Sequence, residues 1–383
     1  MSQQTVKRRW TLTSVNVNNN KFWEIERLPA TGATTVRWGR VGTKGQSKVF
    51  WWTESALSSK IREKEAKGYR EIELHAVKQI SVAGASSMSP AVQKFVEAVF
   101  KAANESISTF LATTVDALSV NQINNGRREL SNVSGVLNAN VSLVTKIAAV
   151  QAYYQVIPTK LPARLRDADV QRQLVSNFSL AEQETRLNQL EAALATYVAG
   201  GNASANYVAL GAEIREIPPT HPAYKEIVGR IRATIPRTPI TGVFAVKIPN
   251  ERAAYEAEDF GDQNISAMYH GTNSPNVRHI LKSCLRVPKY KGHVSNGSRL
   301  GFGIYLSPSA MRSYQYTGGY PPMMFGVDAK LGIVKSYDGR EETLRQAPAG
   351  YHSTMGTKAH GGLGDEFVVY KESQVTIRYV VTF

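Results

Sequence analysis

Tyr269-His270-Gly271-Thr272, Gly301-Phe302-Gly303-Ile304-Tyr305-Leu306 and Glu366-Phe367-Val368-Val369-Tyr370 decide how this chain is read. His270 follows Ile265–Tyr269, which has the character of a strand. Tyr305 comes 35 residues later behind a Gly-x-Gly, and Glu366 another 61 residues on, at the head of a strand-like run. Each piece alone has an ordinary explanation: a satisfied structural histidine, a core tyrosine, a surface carboxylate. Taken singly they decide nothing; the signal lies in their order and separation.

Around these motifs, residues 204–383 alternate short strands and short helices. Strands are expected over Asn206–Leu210, Gly242–Ile248, Ile265–Tyr269, Phe302–Leu306, Met324–Ala329, Gly332–Tyr337, Glu366–Tyr370 and Ser373–Phe383. Helices are expected over Pro222–Ile235, Asn276–Leu281 and Ser309–Tyr316. Pro288–Leu300 is a basic Gly/Lys/Ser loop. The pattern describes a β-rich α+β domain. No Gly-x-Gly-x-x-Gly opens a helix after a strand, and no Gly-x-x-x-x-Gly-Lys-[Ser/Thr] occurs. A nucleotide here would therefore not be held in the Rossmann or P-loop manner. The seven histidines show no metal-ligand spacing, so no metal is expected. Cys284 sits at an expected helix end with no histidine paired to it, which argues against a thiol nucleophile. Glu372 is a rival carboxylate to Glu366.

Residues 1–78 read as a small antiparallel sheet with one helix. Trp10–Val15, Lys21–Glu26, Thr34–Val41 and Ser47–Trp52 are strands, and a helix opened by Thr53 or Glu54 runs to Lys67. In Arg37-Trp38-Gly39-Arg40 an indole beside guanidinium groups can stack on a sugar or base while the arginines hold phosphate. Gly39 lets the backbone come close. A core Trp38 with solvated arginines is the plain alternative. Ser81–Ser87 is a small-residue linker. Residues 90–203 carry helix signals throughout. Ser89-Pro90 begins a run with Val92, Phe95, Val96, Val99 and Phe100 at helical spacing. Ser119/Gln122 and Ser179/Glu182 fit capping boxes, and Leu187, Leu190, Leu194 and Val198 share a face before Gly200-Gly201. Five to seven helices are expected, none with a catalytic residue.

The 383 residues have room for two or three domains. Net charge is +15, and it is uneven: residues 1–80 hold 15 basic and 7 acidic residues, residues 81–203 hold 10 and 9. A basic end on a nearly neutral middle suggests a polyanionic partner. No apolar run has the length of a membrane span, Met1–Thr11 lacks the apolar segment of a secretory signal, and one cysteine excludes an internal disulfide framework. An intracellular location with no membrane partner is expected.

The set His270, Tyr305 and Glu366 resembles that of the poly(ADP-ribose) polymerase family. Ser313 and Tyr316 fall eight and eleven residues after Tyr305, the family's spacing, and Gly350–Gly356 is similar to the loop before the family's catalytic glutamate. Arg37–Gly42, with Asn20–Ile25 and Gly45-Gln46, resembles the WGR signature. Leu118–Leu130 and Tyr153–Pro158 are similar to the family's helical regulatory domain. The resemblance implies a multidomain α+β chain: a WGR DNA-binding domain over 1–78, a linker over 79–89, a helical regulatory domain over 90–203, and an ADP-ribosyltransferase domain of two abutting sheets over 204–383. It implies transfer of ADP-ribose from NAD to protein, the chain itself included, stimulated by DNA breaks, extended to poly(ADP-ribose) and releasing nicotinamide. Glu366, His270 and Tyr305 would be catalytic. His270, Gly271, Thr272, Tyr305, Ser313 and Tyr316 would bind NAD. Trp38, Arg40, Arg37 and Lys44 would bind DNA, and the helical domain would block the cleft until DNA is present. Location would be nuclear in a eukaryote and nucleoid-associated or cytoplasmic in a bacterium or phage-infected cell. The sequence departs from the family at Ser298-Arg299, where an aromatic and a Met are common, at Phe302, where Lys is common, and at Arg312, again in place of Lys. The first departure keeps mono-ADP-ribosyl transfer as an alternative. A DNA-end scaffold without turnover is the alternative of a different class.

Overall fold

The computed structural model describes residues 6–14, 19–40, 45–72, 88–115, 118–161, 167–197, 202–261, 263–290, 299–357 and 366–383. Lys44, the linker 81–87, Val198, Gly200, Gly201 and Ser298 lie outside the described residues. The chain forms two compact units, residues 1–77 with 107–183 and residues 78–106 with 184–383.

The first unit begins with β1 (Val6–Ser14), β2 (Asn19–Arg27), β3 (Ala33–Arg40), β4 (Gln46–Trp51), α1 (Glu54–Ala66) and a short β5 (Arg70–Ile72) that sequence reading did not anticipate. The antiparallel sheet runs β4-β3-β2-β1-β5. Thr53 caps α1 by accepting from the Ala56 N–H. Trp10, Trp23, Ile25 and Val36 form a core closed by Leu57 of α1, with the Trp10 and Trp23 rings 4.9 Å apart. The middle region supplies α2 (Pro90–Phe110), α3 (Val120–Asn138), α4 (Leu143–Val156), α5 (Ala168–Ser176) and α6 (Leu180–Ala195). The expected serine caps form: Ser89, Ser119 and Ser179 accept from the N–H groups of Val92, Gln122 and Glu182, but the capping box at Ser119 is half made, since the Gln122 side chain donates to the Val156 carbonyl instead of returning to Ser119.

The second unit is built on α7 (Ala203–Leu210), β6 (Glu213–Glu216), α8 (Pro222–Arg232), β7 (Gly242–Lys247), α9 (Pro249–Ala257), β8 (Ile265–Thr272), α10 (Ser274–Ser283), β9 (Ile304–Leu306), α11 (Ala310–Tyr314), β10 (Met323–Lys330), β11 (Val334–Tyr337), β12 (Ser353–Gly356), β13 (Glu366–Val369) and β14 (Val375–Thr382). Two sheets result, ordered β6-β7-β14-β10-β8 and β11-β12-β13-β9. The apolar stripe of α2 joins the core of the first of them, and Phe95 stacks on Phe244 with ring centres 4.6 Å apart. The strand expected at Asn206–Leu210 is corrected: the segment is helix α7. Asn202 caps it by accepting from the Ala205 N–H, and Gly211 ends it at φ +70. Helix α9 and strand β12 are further additions. No helix among the described residues is long and apolar enough to cross a membrane.

Glu251, in the first turn of α9, is buried at 5% exposure and accepts from the Ile377 N–H and the Thr376 hydroxyl. Burial pushes its carboxyl up to about 7. The folded protein therefore holds this proton more tightly than the unfolded chain, and this group's contribution to stability falls as pH rises from about 4.5 to about 7. Glu251→Gln is expected to raise the melting temperature at pH 8 by several degrees and to change it little at pH 5, an effect of up to about 3 kcal/mol. An identical change at both pH values would mean that the carboxyl ionises in the fold at its ordinary pH.

Candidate active site and nucleic-acid cleft

Edge strands β8 and β9 meet where Tyr269 and Ser307 exchange both backbone hydrogen bonds, 2.8 and 3.1 Å. A second bridge joins Asn273 to Gly318. Between the two bridges, the antiparallel alternation turns the N–H and C=O of Gly271 toward the same edge as those of Tyr269 and away from β10. Helix α11 lies against this gap. Ser313 Oγ donates to the Tyr269 carbonyl at 3.0 Å, and a Cβ added to Gly271 would fall 1.7 Å from the Ser313 carbonyl oxygen. The glycine is thus a requirement of close approach.

His270, beside Gly271, has Nδ1 3.0 Å from the Tyr305 carbonyl. A carbonyl only accepts, so Nδ1 carries the proton and Nε2 is the bare acceptor. Burial holds the imidazole below its ordinary range, which keeps it neutral at pH 7. Tyr305 is fixed at both ends: its backbone pairs in β9, and its hydroxyl accepts from the Leu300 N–H and donates to the Gly301 carbonyl, each at 2.9 Å.

Glu366 opens β13, which pairs with β9. It is 7% exposed. Arg312 Nε donates to its Oε1 at 2.8 Å, Arg312 Nη2 donates to the same oxygen, and Tyr316 Oη donates at 3.2 Å. All three bonds fall on Oε1, which leaves Oε2 for other work. Burial raises the Tyr316 hydroxyl, and Glu366 adds to the shift. Arg312, Ser313 and Tyr316 thus belong to one short stretch that touches both Gly271 and Glu366. The rival Glu372 accepts instead from the Val287 N–H at 3.2 Å. Burial pushes the Cys284 thiol up to about 12, so it stays protonated.

Thr272, at the end of β8, receives a bond from Asn276 Nδ2 at 3.4 Å. Asn276 Oδ1 in turn accepts from Gln189 Nε2 of α6 at 2.8 Å. Two further α6 residues hold the segment after α10: Glu191 pairs with Arg286 at 3.0 Å, and Glu184 accepts from the backbone N–H groups of Lys289 and Tyr290. Sequence reading missed these contacts, because nothing local marks which helix face meets which loop.

In the first unit, Trp38, Gly39 and Arg40 line a cleft of about 480 Å³ with Lys21, Phe22, Gly45, Gln46, Lys64 and Tyr69. Arg37, one residue over, projects from the sheet face opposite to Trp38 and pairs with buried Glu24 at 3.7 Å; it is not among the residues that line the cleft. Of the expected DNA-binding residues, Trp38 and Arg40 share the cleft, Arg37 does not, and Lys44 is outside the described residues. Lys64 sits over the rings of Trp23 and Tyr69 and is held below the ordinary lysine range by burial and by Lys67, Lys60 and Lys21. An anion in the cleft would relieve that repulsion.

Comparison with known proteins gives two domain matches: the WGR domain over residues 7–75 and the poly(ADP-ribose) polymerase catalytic domain over residues 222–362. The second span contains His270, Tyr305, Ser313 and Tyr316, and Glu366 lies just beyond it. The chain is 26% identical to Protein mono-ADP-ribosyltransferase PARP4 of Mus musculus over 79% of its own length and 16% of that protein. It is 24% identical to Protein mono-ADP-ribosyltransferase PARP3 of Gallus gallus over 46% of its length and 39% of that protein. With the human PARP3 it shares 23% identity over 90% of its length and 75% of that protein. It thus spans less than a fifth of the PARP4 protein it matches. With both domain matches on one polypeptide, and the expected cleft residues gathered at β8, β9, α11 and β13, the chain belongs to the poly(ADP-ribose) polymerase family as a member that carries a WGR domain.

Proposed function

We propose that the chain is an NAD-dependent ADP-ribosyltransferase switched on by DNA ends. The observation that carries the reading is the pairing, through α11 and the turn after it, of a planar hydrogen-bonding edge at Gly271 with a buried carboxylate at Glu366. Nicotinamide carries a planar amide, and the outward N–H and C=O of Gly271 complement its oxygen and nitrogen, with the Ser313 hydroxyl as a second acceptor. Tyr316 and Tyr305 would bracket the ring. Neutral His270 would accept from an adenosine-side ribose hydroxyl through Nε2, beside Thr272. The bond from ribose C1′ to nicotinamide breaks, its electron pair leaves with a neutral nicotinamide, and the ribose becomes oxocarbenium-like. Glu366 Oε2 would accept from the nicotinamide-side ribose hydroxyl and place negative charge beside that cation. An acceptor oxygen then bonds to C1′, and its proton passes to Oε2.

DNA ends would enter the basic cleft at Trp38 and Arg40, with Lys21 and Lys64 on phosphate. The three polar contacts from α6 to the Asn276–Tyr290 segment support a resting state in which the helical region restrains the NAD cleft. Gln189→Ala is expected to raise DNA-independent turnover several-fold, read as nicotinamide release without DNA; unchanged basal release would remove this contact from the restraint. Extension to poly(ADP-ribose) follows from a carboxylate able to activate a ribose hydroxyl. Single-unit transfer is the second reading, favoured by Ser298-Arg299 and by the names of the relatives.

The test is nicotinamide release from NAD with and without a short 5′-phosphorylated duplex, with the protein run on a gel alongside. DNA-dependent release with a high-mass smear supports polymer formation, and one discrete shifted band supports single-unit transfer. Release of free ADP-ribose with no label on protein would make the chain an NAD glycohydrolase. Absence of release under every condition sinks the enzyme reading and leaves a DNA-end scaffold.

A further inference from the structure

Leu300 and Gly301 form the wall from which β9 emerges, and two buried hydroxyls hold them. The Tyr370 hydroxyl, just past β13, donates to the Leu300 carbonyl at 2.8 Å. A tyrosine hydroxyl has one proton, so the 2.8 Å contact with Thr354 of β12 must run the other way, with Thr354 donating. Across the Cα of the same residue, the Leu300 N–H donates to Tyr305 Oη, which donates to the Gly301 carbonyl. The bonds therefore have one direction each: Thr354 to Tyr370 to the Leu300 carbonyl, and the Leu300 amide to Tyr305 to the Gly301 carbonyl. Leu300 and Thr354 are 0% exposed and Tyr370 8%, so water cannot replace these partners. Leu300, Val368 and Tyr370 share one small core with Tyr305 packed on it.

We propose that Tyr370, oriented by Thr354, is a positioning residue for the NAD reaction: it fixes the Leu300–Gly301 backbone and, through it, the hydroxyl end of Tyr305. The proposal rests on the transferase reading above, in which Tyr305 closes one side of the nicotinamide ring. A side chain pinned only at its backbone swings. Pinned also at its hydroxyl, it presents one face to the cleft before the substrate arrives. Neither Tyr370 nor Thr354 needs to touch NAD. Their effect reaches it through one residue, Leu300, and one phenol.

The loop has other anchors, so removing one hydroxyl is a local lesion. The Phe302 N–H donates to the Leu344 carbonyl at 2.7 Å, and the Glu341 N–H donates to the Arg299 carbonyl at 2.7 Å. Tyr370→Phe keeps the ring and its packing. It strands the Leu300 carbonyl and the Thr354 hydroxyl in a buried site, a loss that corresponds to about a tenfold change in a local equilibrium.

Two measurements test this on the full chain. The first is steady-state turnover of NAD with calorimetric binding of benzamide, a nicotinamide mimic. Tyr370→Phe should raise KM for NAD and the benzamide Kd about tenfold while kcat stays within about threefold. Thr354→Val should act in the same direction, and the double variant should match Tyr370→Phe instead of adding to it. The second is trypsin cleavage after Arg299, whose scissile bond ends at the Leu300 nitrogen. Tyr370→Phe should speed it about tenfold in the absence of any ligand, because cleavage needs this peptide to open. Unchanged cleavage, or a fall in kcat with KM and Kd unmoved, overturns the proposal. A wild-type protein that neither turns over NAD nor binds benzamide would sink the transferase reading instead, and the cleavage rates would then decide the clamp alone.

Discussion

Glu366→Gln should abolish nearly all turnover while leaving the cleft able to bind. Gln keeps one oxygen in the place of Oε1, where Arg312 and Tyr316 donate, so the local geometry survives. It replaces the other oxygen with an NH₂ group that donates where the reaction needs an acceptor, and it removes the negative charge beside the developing ribose cation. Losing a general base and an electrostatic partner together costs about 10³-fold in kcat or more. Nicotinamide release with DNA present should fall by that factor, and benzamide affinity should change less than about threefold, since the amide is held at Gly271 and Ser313. The melting temperature should fall by only a few degrees, because the amide oxygen of Gln still accepts from Arg312 and Tyr316. Release within about tenfold of wild type would show that Glu366 does not carry the reaction.

Why Glu366 and not Glu372 was open to sequence reasoning only through the resemblance of the run that follows it. The physical reason appears in three dimensions. Glu366 starts the strand beside β9 and meets Arg312 and Tyr316, whereas Glu372 lies in a short 3₁₀ turn and accepts a backbone N–H. The candidates could be named from sequence because they lie at fixed offsets that the resemblance matches: His270-Gly271-Thr272 in one run, and Ser313 and Tyr316 eight and eleven residues after Tyr305; Arg312 stood out only as a departure from the family, and its bond to Glu366 appears in three dimensions. Helix starts were legible for the same reason, since Ser119 accepts from the backbone N–H three residues on; the return half of that box is absent, and Gln122 Nε2 donates instead to the Val156 carbonyl. The segment Asn206–Leu210 misled because its alternation of size mimics a strand, while the deciding signals, Asn202 before it and Gly211 after it, flank it. Strand β12 was hidden in a Gly- and Ser-containing stretch that becomes extended only because β11 and β13 flank it on both sides. The contacts of Gln189, Glu191 and Glu184, and the gathering of Lys64 and Tyr69 beside Trp38, join residues far apart in sequence, and no local pattern encodes them.

Gly271→Ala should do to binding what Glu366→Gln does to turnover. The added methyl group points at α11, not at solvent. It would come within 1.7 Å of the Ser313 carbonyl oxygen and 2.7 Å of the Ser313 carbonyl carbon, both backbone atoms, and 3.1 Å of Tyr316 Cβ. No rotamer change relieves a clash between two backbones, so either β8 leaves its register with β10 or α11 moves out. The register is fixed by eight paired residues, from Met323↔Thr272 to Lys330↔Ile265, whereas α11 spans five residues. The helix should therefore yield, and it takes Arg312, Ser313 and Tyr316 with it. The amide-binding edge, the ring stack and the restraint on Glu366 are then lost in one step. Overpacking of this kind costs about 1–3 kcal/mol, a lowering of a few degrees in melting temperature that the core should survive. Benzamide affinity and kcat/KM for NAD should each fall by about 100-fold or more, since the reacting groups tolerate little displacement. Gly229→Ala is the matched control: it lies inside α8 with nothing within 4 Å of the new methyl group, and it should leave binding unchanged and stabilise by about 0.5–1 kcal/mol. Binding of benzamide by Gly271→Ala at wild-type strength would mean that the gap between the two bridges is not where the amide rests.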